Sequence, residues 1–333
     1  MSTRLVKRLR GFSDCSRKGI RKVQDLHKFI VNTPEIWEVA YNNIRTNDGA
    51  LTKGTDEVTM DGHSFERSQE IMEKLKDGSY QPTPVRRIYI PKSNGKLRPL
   101  GMPNGTDKLV QEVCRIVLES IYEPIFSDFS CGFRPKRGAH DALLHIQDTW
   151  TGTKWFIEFD IKGYFDNINH EILIECLEKK IGDKRFIALL RKMLRAGYVE
   201  DWKYNRTYSG TPQGGVISPI LANIYLHELD VWMEELCQEH SRVGERKMNP
   251  KYVKYTSKLK WNTTKLRMID QSEEDLPLEL RERKNRMIEK GLLEVTAEFK
   301  AKVLEERATI LKERMDLPEK DQHDPEYERL CYV

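Results

Sequence analysis

A carboxylate at the end of an apolar segment is the first feature of this sequence that could do chemistry. The run from Trp155 to Phe159 precedes Asp160, and its composition predicts a buried strand. Alternation along that strand would place Glu158 and Asp160 on one face. A buried carboxylate costs stability unless it is paired, so a structural ion pair and a metal site are both open interpretations. Its oxygen atoms suit Mg²⁺, which binds one or two carboxylates together with substrate phosphates.

A glycine-rich turn before a helix is the second such feature. The segment TPQGG at 211–215 contains adjacent glycines, which let the backbone approach a ligand closely. Gln213 adds an amide with two donors and an acceptor. Pro219 after Ser218 predicts the start of a helix, whose free N–H groups attract anions. An ordinary loop between a strand and a helix explains these residues equally well.

A basic hairpin is the third feature. Asn94-Gly95 lies between an apolar run and a basic-apolar run, which predicts two strands joined by a tight turn over 86–100. Lys92 and Arg98 flank this turn, where two cationic side chains could hold a triphosphate. The alternative is a surface hairpin without a role in binding.

Helices must position these three features, because helical periodicity covers most of the remaining chain. Asn169 is a predicted N-cap, and Gly78, Gly182 and Gly197 are predicted helix stops. The predicted helices lie within 5–46 (with Pro34 at a first helical position), 64–76, 106–127, 169–181, 183–196 and 218–237, with one or two long exposed helices in 240–320.

The composition is that of a globular, highly charged protein. The 333 residues are 38% hydrophobic and 32% charged, which excludes a disordered low-complexity chain and a small disulfide scaffold. The six cysteines form no CxxC pair, so a zinc site of the usual spacing is not expected. The longest stretch without formal charge, 207–227, holds two Pro and three Gly and cannot span a membrane. We therefore expect a soluble, cytoplasmic protein with reduced cysteines.

The charge is distributed unevenly along the chain. Residues 1–30 carry nine Lys or Arg and two Asp, although the whole chain has a net charge of only +4. A basic arm of this density is typical of proteins that bind polyanions. A solvated helix face is the alternative interpretation.

Several segments together resemble the reverse transcriptases encoded by group II introns, which are also called maturases. The resemblance covers nearly the whole chain, with the segments in the family's order. They are AYNNIRTNDGALTKGTDEVTMDG (N-terminal extension), IPKSNGKLRPLGMPNGTDKLVQ (fingers hairpin), SCGFRPKRGAHDAL (segment before the palm), FDIKGYFDNI (motif A), TPQGGVISPILANIYLHELD (motif B) and ERKMNPKY (insertion after motif B).

The resemblance implies a role for each matching residue. Asp160 would be the catalytic metal ligand, joined by the backbone carbonyl of Ile161, and Phe165 would exclude a ribose 2′-OH. The nucleotide-binding residues would be Lys92, Arg98, Phe165 and Gln213. RNA would be bound mainly through its phosphates by Arg4, Lys7, Arg8, Arg10, Arg17, Lys18, Arg21, Lys22, Arg134, Lys136 and Arg137.

The implied fold is α+β and helix-rich, a polymerase right hand with helical fingers, a β-hairpin and a partial palm. We expect a small antiparallel sheet with helices on one face. The expected regions are a basic N-terminal extension (1–60), fingers with the hairpin (61–154), the motif A strand and helix (155–182), further helices (183–209), the motif B turn and helix (210–239), a charged helical insertion (240–323) and the start of the motif C strand (324–333).

One departure from the family pattern matters for activity. The family's motif C is a Tyr-x-Asp-Asp turn that supplies further catalytic carboxylates, and no such tetrapeptide occurs here. The ending LCYV resembles the strand that leads into that turn, so we expect a fragment cut just before motif C. Such a fragment would leave the two-Mg²⁺ site incomplete and would bind RNA without synthesising DNA.

The expected partners follow from the same resemblance. They are intron RNA, an RNA template, deoxynucleoside triphosphates and, for the intact protein, a DNA primer or target, with no membrane. An uncovered sheet edge could also produce a homodimer. The alternative functions are an RNA-folding and splicing scaffold with a vestigial polymerase site and, less favoured, a nucleotidyl cyclase. A cyclase would need neither the basic arm nor a template groove.

Overall fold

The chain divides into two compact units in the computed structural model. One comprises Met1–Glu235 with Tyr332–Val333, and the other comprises Leu236–Cys331. The structure describes residues 2–91, 95–150, 153–207, 209–210, 214–241, 245–322, 324, 327 and 329–333. No helix among these residues is long and apolar enough to cross a lipid bilayer.

Most helices of the first unit lie at the predicted positions, apart from those at Ala139–Thr149 and Tyr164–Asn167, for which no bounds were predicted. Ser2 and Ser64 cap their helices through side-chain oxygens, and Gly19 and Gly78 end them in the left-handed conformation. The helices are α1 (Thr3–Lys18), α2 (Leu26–Val31), α3 (Pro34–Ile44), α4 (Phe65–Asp77), α5 (Gly105–Tyr122), α6 (Ala139–Thr149), α7 (Tyr164–Asn167), α8 (His170–Lys180), α9 (Lys184–Leu194) and α10 (Ser218–His240).

Helix α5 is the centre of the core. Most of its residues are buried, including Asp107 and Gln111 as well as the apolar ones. Helices α1 and α3 pack against it, and the hydroxyl of Ser13 donates to the carbonyl of Ser120 at 2.6 Å. The largest fully buried side chains of the unit include Trp37, Tyr122 and Phe186. The core of the first unit is therefore helical, and the strands lie outside it.

Among the described residues the sheet has four strands and is mixed, so the expectation of an antiparallel sheet is wrong. The predicted hairpin forms as β1 (Val85–Pro91) and β2 (Leu97–Met102), which pair antiparallel. Strand β1 also pairs in parallel with β3 (Tyr198–Glu200), which continues into β4 (Lys203–Asn205). The β3–β4 hairpin lies inside the region expected to contain only helices. Its turn residues, Asp201 and Trp202, both have positive φ but lack the glycine that usually signals such a turn.

The predicted strand before Asp160 does not form. The described residues of 153–160 have no regular structure, and the side chains of Trp155 and Phe159 are 86% and 71% exposed. A strand needs a neighbouring strand for its backbone hydrogen bonds, and none of the described strands lies beside this segment. The described residues of 324–333 likewise form no strand.

In the part of 240–320 that the structure describes, three helices follow α10 rather than the one or two expected. These are α11 (Pro250–Asp270), α12 (Leu278–Glu289) and α13 (Ala297–Met315). Asn249, which caps α11, donates from its side chain to the carbonyl of Pro318, and Asp270 at the other end of α11 pairs with Lys300. Helices α11 and α13 are therefore antiparallel, with Leu259, Val303 and Ile310 among the buried side chains.

A group of partly buried acidic and hydroxyl side chains lies along α10 in the first unit. Ser127 Oγ donates to Glu234 Oε1 at 2.6 Å, and the Tyr332 hydroxyl donates to the carbonyl of Asp230 at 3.2 Å. Burial, together with the nearby charge of Glu234, raises the pKa of Asp230 to about 6, although Arg134 opposes the shift.

This raised pKa predicts a pH dependence of stability. The folded state holds the proton of Asp230 more tightly than the unfolded state, so its stabilising effect is complete below about pH 4 and is lost as the pH rises through about 6. Between pH 4 and 7.5, we expect the free energy of unfolding of the native chain to fall relative to that of the Asp230→Asn variant. The expected fall is on the order of 1–2 kcal/mol. Urea denaturation of both proteins across this range measures the difference. A difference that does not change with pH would contradict the prediction.

Candidate nucleotide and nucleic-acid site

The root of the β1–β2 hairpin is fixed to the start of α5 by a buried carboxylate. Asp107 accepts hydrogen bonds from the Tyr80 hydroxyl at 2.5 Å, the Thr83 hydroxyl at 2.5 Å and the Thr83 backbone N–H at 2.9 Å. Burial raises the pKa of Asp107, and these donors oppose that shift. Because Thr83 lies two residues before β1, the bonds set where the hairpin leaves the core.

Helix α7 presents Phe165, the residue expected to contact the sugar. Gly163 precedes α7 in the left-handed conformation, and the hydroxyl of Tyr164 donates to the carbonyl of Ala222 in α10 at 2.8 Å. The half-buried ring of Phe165 meets Phe133 nearly perpendicularly, with ring centroids 6.3 Å apart. Tyr164 therefore anchors α7 to α10, and the neighbouring ring of Phe165 contacts the exposed ring of Phe133.

Two glycines connect α7 and the hairpin to the glycine-rich turn. A Cβ atom on Gly210 would lie 2.9 Å from the carbonyl oxygens of Phe165 and Asp166, and one on Gly214 would lie 2.8 Å from the carbonyl oxygen of Gly101 in β2. Both glycines have positive φ, +87° and +103°, which L-residues rarely adopt. The residues on either side of 211–213 are thus anchored at Phe165 and at β2.

Side-chain amides connect the start of α10 to its neighbours. The backbone N–H of Val216 donates to Gln111 Oε1 of α5 at 2.9 Å, and the amide of Asn223 donates to the carbonyl of Gly132 at 2.8 Å. The sequence interpretation assigned no role to Gln111. A polar residue within the apolar pattern of α5 was the signal that could have identified it.

The nucleotide-binding residues can be located only in part. Arg98 is exposed on β2, opposite Ile90, and lies two residues from Leu100, whose side chain approaches Gly214. Because alternate residues share a strand face, Arg98 lies on the face that meets the turn. Lys92 and Gln213 lie outside the described residues.

The metal site is the least assembled part of the candidate site. Asp160 is exposed and Ile161 is 44% exposed. No group of three or more acidic, His or Cys residues that could hold a metal occurs in the part of the chain that the structure describes. A single exposed carboxylate does not fit a two-metal site, which needs several ligands around a pair of ions.

The basic arm lines a groove. All eight of its predicted RNA-binding cations are exposed, whereas Leu5, Leu9 and Phe12 of α1 are buried. Between α1 and residues 21–33 the surface forms a groove of about 890 Å³, whose basic lining residues are Arg4, Lys7, Arg8, Arg21, Lys22 and Lys28. This concave, positively charged surface suits a phosphate backbone.

Arg134 is a structural residue and not an RNA-contacting cation, which corrects the expectation. Its side chain is 3% exposed, and its guanidinium donates to Glu123, to the carbonyl of Ser127 at 2.5 Å and to that of Ser130 at 2.7 Å. A cation buried in this way cannot reach a phosphate. In the same loop Arg137 pairs with Asp128, and Lys136 is exposed.

Comparisons with known proteins match this sequence to reverse transcriptases. A family model described as "Reverse transcriptase (RNA-dependent DNA polymerase)" matches residues 90–249. The chain is 47% identical over 264 residues to "Group II intron-encoded protein LtrA" of Lactococcus lactis subsp. cremoris, covering 79% of the chain and 44% of that protein. It is 43% identical over 258 residues to "Uncharacterized 91 kDa protein in cob intron" of Schizosaccharomyces pombe, covering 72% and 32%.

The chain therefore spans less than half the length of these two relatives. Among solved structures, a chain of the "Partial Cas6-RT-Cas1--Cas2 complex" matches with a TM-score of 0.41 and 21% identity, covering 67% of this chain and 36% of that one. This structural likeness is too weak to support any conclusion about the site.

The close approach at Gly214 predicts a large cost for any side chain there. Gly214→Ala should lower the free energy of unfolding by about 2–4 kcal/mol, because the methyl group meets backbone and the φ angle is strained. Gly62→Ala is the matched control, since Gly62 has φ +66° but open space around it, and should cost about 1 kcal/mol. Chemical denaturation measures both variants. Equal costs would show that the turn is not packed against β2.

Proposed function

Because the chain belongs to the group II intron-encoded branch of the reverse transcriptase family, we propose that the intact protein is an RNA-directed DNA polymerase and a maturase of its intron RNA. It copies an RNA template onto a DNA primer or target with deoxynucleoside triphosphates, and it helps the intron RNA to fold and splice. Since the chain spans 44% of the length of its bacterial relative, these activities belong to the whole protein.

The convergence of three elements on the two glycines is the observation that carries this proposal. Gly210 packs on the backbone of Phe165, and Gly214 packs on β2, the strand that bears Arg98. A cation for phosphates, an aromatic ring for the sugar and a glycine-rich turn for close backbone approach are the groups that a nucleotide pocket needs. The same three elements carry the family's motifs in this sequence.

The roles of the individual residues follow from that arrangement. Arg98, together with Lys92, binds the phosphates of the incoming nucleotide, and Gln213 contacts it beside the ring. Phe165 excludes a ribose 2′-OH through its bulky ring, which contacts the rings of Phe133 and Tyr164. Positioning by these groups is most of what phosphoryl transfer asks of a protein.

Membership in this family implies a divalent-metal cofactor, for which Asp160 is the family-matching ligand. The described residues do not fit a complete metal pair, because Asp160 is exposed and no acidic cluster surrounds it. We therefore propose that this chain, taken alone, binds RNA but does not synthesise DNA.

Primer extension tests this division of functions. We expect the chain to produce no templated DNA with Mg²⁺, an RNA template, a DNA primer and all four deoxynucleoside triphosphates, because the metal ligands are too few. The same preparation should retain RNA in a filter-binding assay, which serves as the control for folded protein. Templated extension by this chain would contradict the proposal.

We also propose that the basic arm is an RNA-binding surface, at the groove beside α1. Reversing the charge of Arg8, Arg10, Lys18 and Arg21 to Glu should weaken RNA binding by tenfold or more near 0.1 M salt. It should also reduce the slope of log K against log salt concentration, where K is the RNA association constant, by about 3. Each lost phosphate contact contributes roughly 0.7 to that slope. Binding isotherms from 50 to 300 mM KCl measure both quantities.

A matched control carries the same change of charge elsewhere. Lys290, Lys302, Arg307 and Lys312 are exposed in the second unit, and their reversal to Glu should leave the salt slope within experimental error. If the arm variant keeps the native affinity and slope, the arm is only a solvated helix face.

A further inference from the structure

Helix α11 of the second unit carries almost only positive charge. It holds six Lys or Arg in 21 residues, and its single acidic residue, Asp270, lies at its last position and pairs with Lys300. By contrast, α12 carries three acidic and four basic side chains, and α13 carries four and five. The positive charge of this unit is therefore concentrated on α11.

The spacing of the lysines puts four of them on one face. Lys251, Lys254, Lys258 and Lys265 are separated by three, four and seven residues, which places them within about 60° around a helix of 100° per residue. The first three are exposed, and none of them has an ion-pair partner in the part of the chain that the structure describes. We call these four residues the lysine face.

An aromatic ring lies at the edge of the lysine face. The Nζ atom of Lys265 is 6.0 Å from the centre of the half-buried Trp261 ring, and the guanidinium of Arg283 in α12 is 4.2 Å from it. The positive surface thus extends across two helices and includes an aromatic ring. Cations around a partly accessible aromatic ring are typical of surfaces that bind single-stranded nucleic acid.

A merely solvated helix explains this pattern poorly. Exposed helices commonly alternate charges, because opposite charges four residues apart stabilise the helix and like charges destabilise it. Lys254 and Lys258 are like charges at that spacing. The phosphates of a bound polyanion would remove the repulsion between them.

We propose that the lysine face with Trp261 and Arg283 is a second RNA-binding surface, separate from the basic arm. The choice of RNA among polyanions rests on the proposed function. The face binds backbone phosphates through its lysines, and Trp261 contacts an unpaired base. It therefore favours single-stranded or looped RNA over duplex.

The test uses the full chain with an unstructured 30-nucleotide RNA. We expect K251E/K254E/K258E to weaken binding about tenfold near 0.1 M salt and to make the salt slope shallower by about 2, at roughly 0.7 per single-strand phosphate. K302E/R307E/K312E, which reverses three exposed charges on α13, is the matched control and should stay within twofold of the native chain. Circular dichroism checks that both variants remain folded.

Photocross-linking locates the contact directly. RNA containing 4-thiouridine should cross-link to a peptide within 251–265 in the native chain, and K251E/K254E/K258E should lose that product. The inference would be overturned if both triple variants weakened RNA binding equally, or if the native chain bound duplex RNA as tightly as single-stranded RNA. The inference would also be overturned if the native chain co-sedimented with phosphatidylserine vesicles but did not bind the RNA.

The outcome separates this inference from the function it rests on. If reversal of the arm abolishes RNA binding while reversal of the lysine face changes neither affinity nor slope, the second surface is rejected and the proposed function stands. If the native chain binds no RNA at all, the proposed function itself fails.

Discussion

The candidate pocket depends on two places where backbone meets backbone with no room for a side chain. Gly210 lies against the carbonyls of Phe165 and Asp166, and Gly214 lies against Gly101 and Leu100 of β2. A contact between backbones cannot be relaxed by rotating a side chain, so a displacement of Phe165 must move Gly210 and a displacement of β2 must move Gly214. The backbone of Phe165 and the hairpin are thereby each tied to one of these two glycines.

Buried polar side chains support this arrangement from behind. Asp107 fixes the start of the hairpin, Gln111 fixes the start of α10, and Arg134 fixes the loop that bears Phe133. Each of these groups costs desolvation energy, which its hydrogen bonds must offset. Such groups specify geometry more than they add stability, since an apolar residue would have no directional partner to hold in place.

Signals close together in the sequence predicted the helices well. Ser64, Gly78, Asn169 and Pro34 act within one turn of the helix that they begin or end, so the sequence alone locates those boundaries. The Asn94-Gly95 hairpin was predicted for the same reason. The convergence of the hairpin with the glycine-rich turn came from the family's motifs and not from any local pattern.

Features that depend on distant partners were not predictable. The apolar run before Asp160 has the composition of a strand, but pairing requires a neighbouring strand that composition does not reveal. The parallel pairing of β1 with β3 joins segments more than a hundred residues apart. In the sequence, Arg134 cannot be distinguished from the exposed cations beside it. Only the folded structure shows that its side chain is buried and paired with Glu123. A basic residue in a loop therefore predicts a nucleic-acid contact only after its acidic neighbours are known.

The distribution of charge matters more here than its sum. A net charge of +4 on 333 residues would hardly attract a polyanion if it were spread evenly, because salt screens exposed charges beyond about 8 Å. Within that distance an RNA phosphate responds to local charge, and the arm and α11 each present several exposed cations along one helix. Acidic residues that lie beyond that distance lower the sum without weakening these faces, so two surfaces on one chain could bind the same RNA. Their combined affinity would then exceed that of either surface by an amount set by the span between their sites on the RNA.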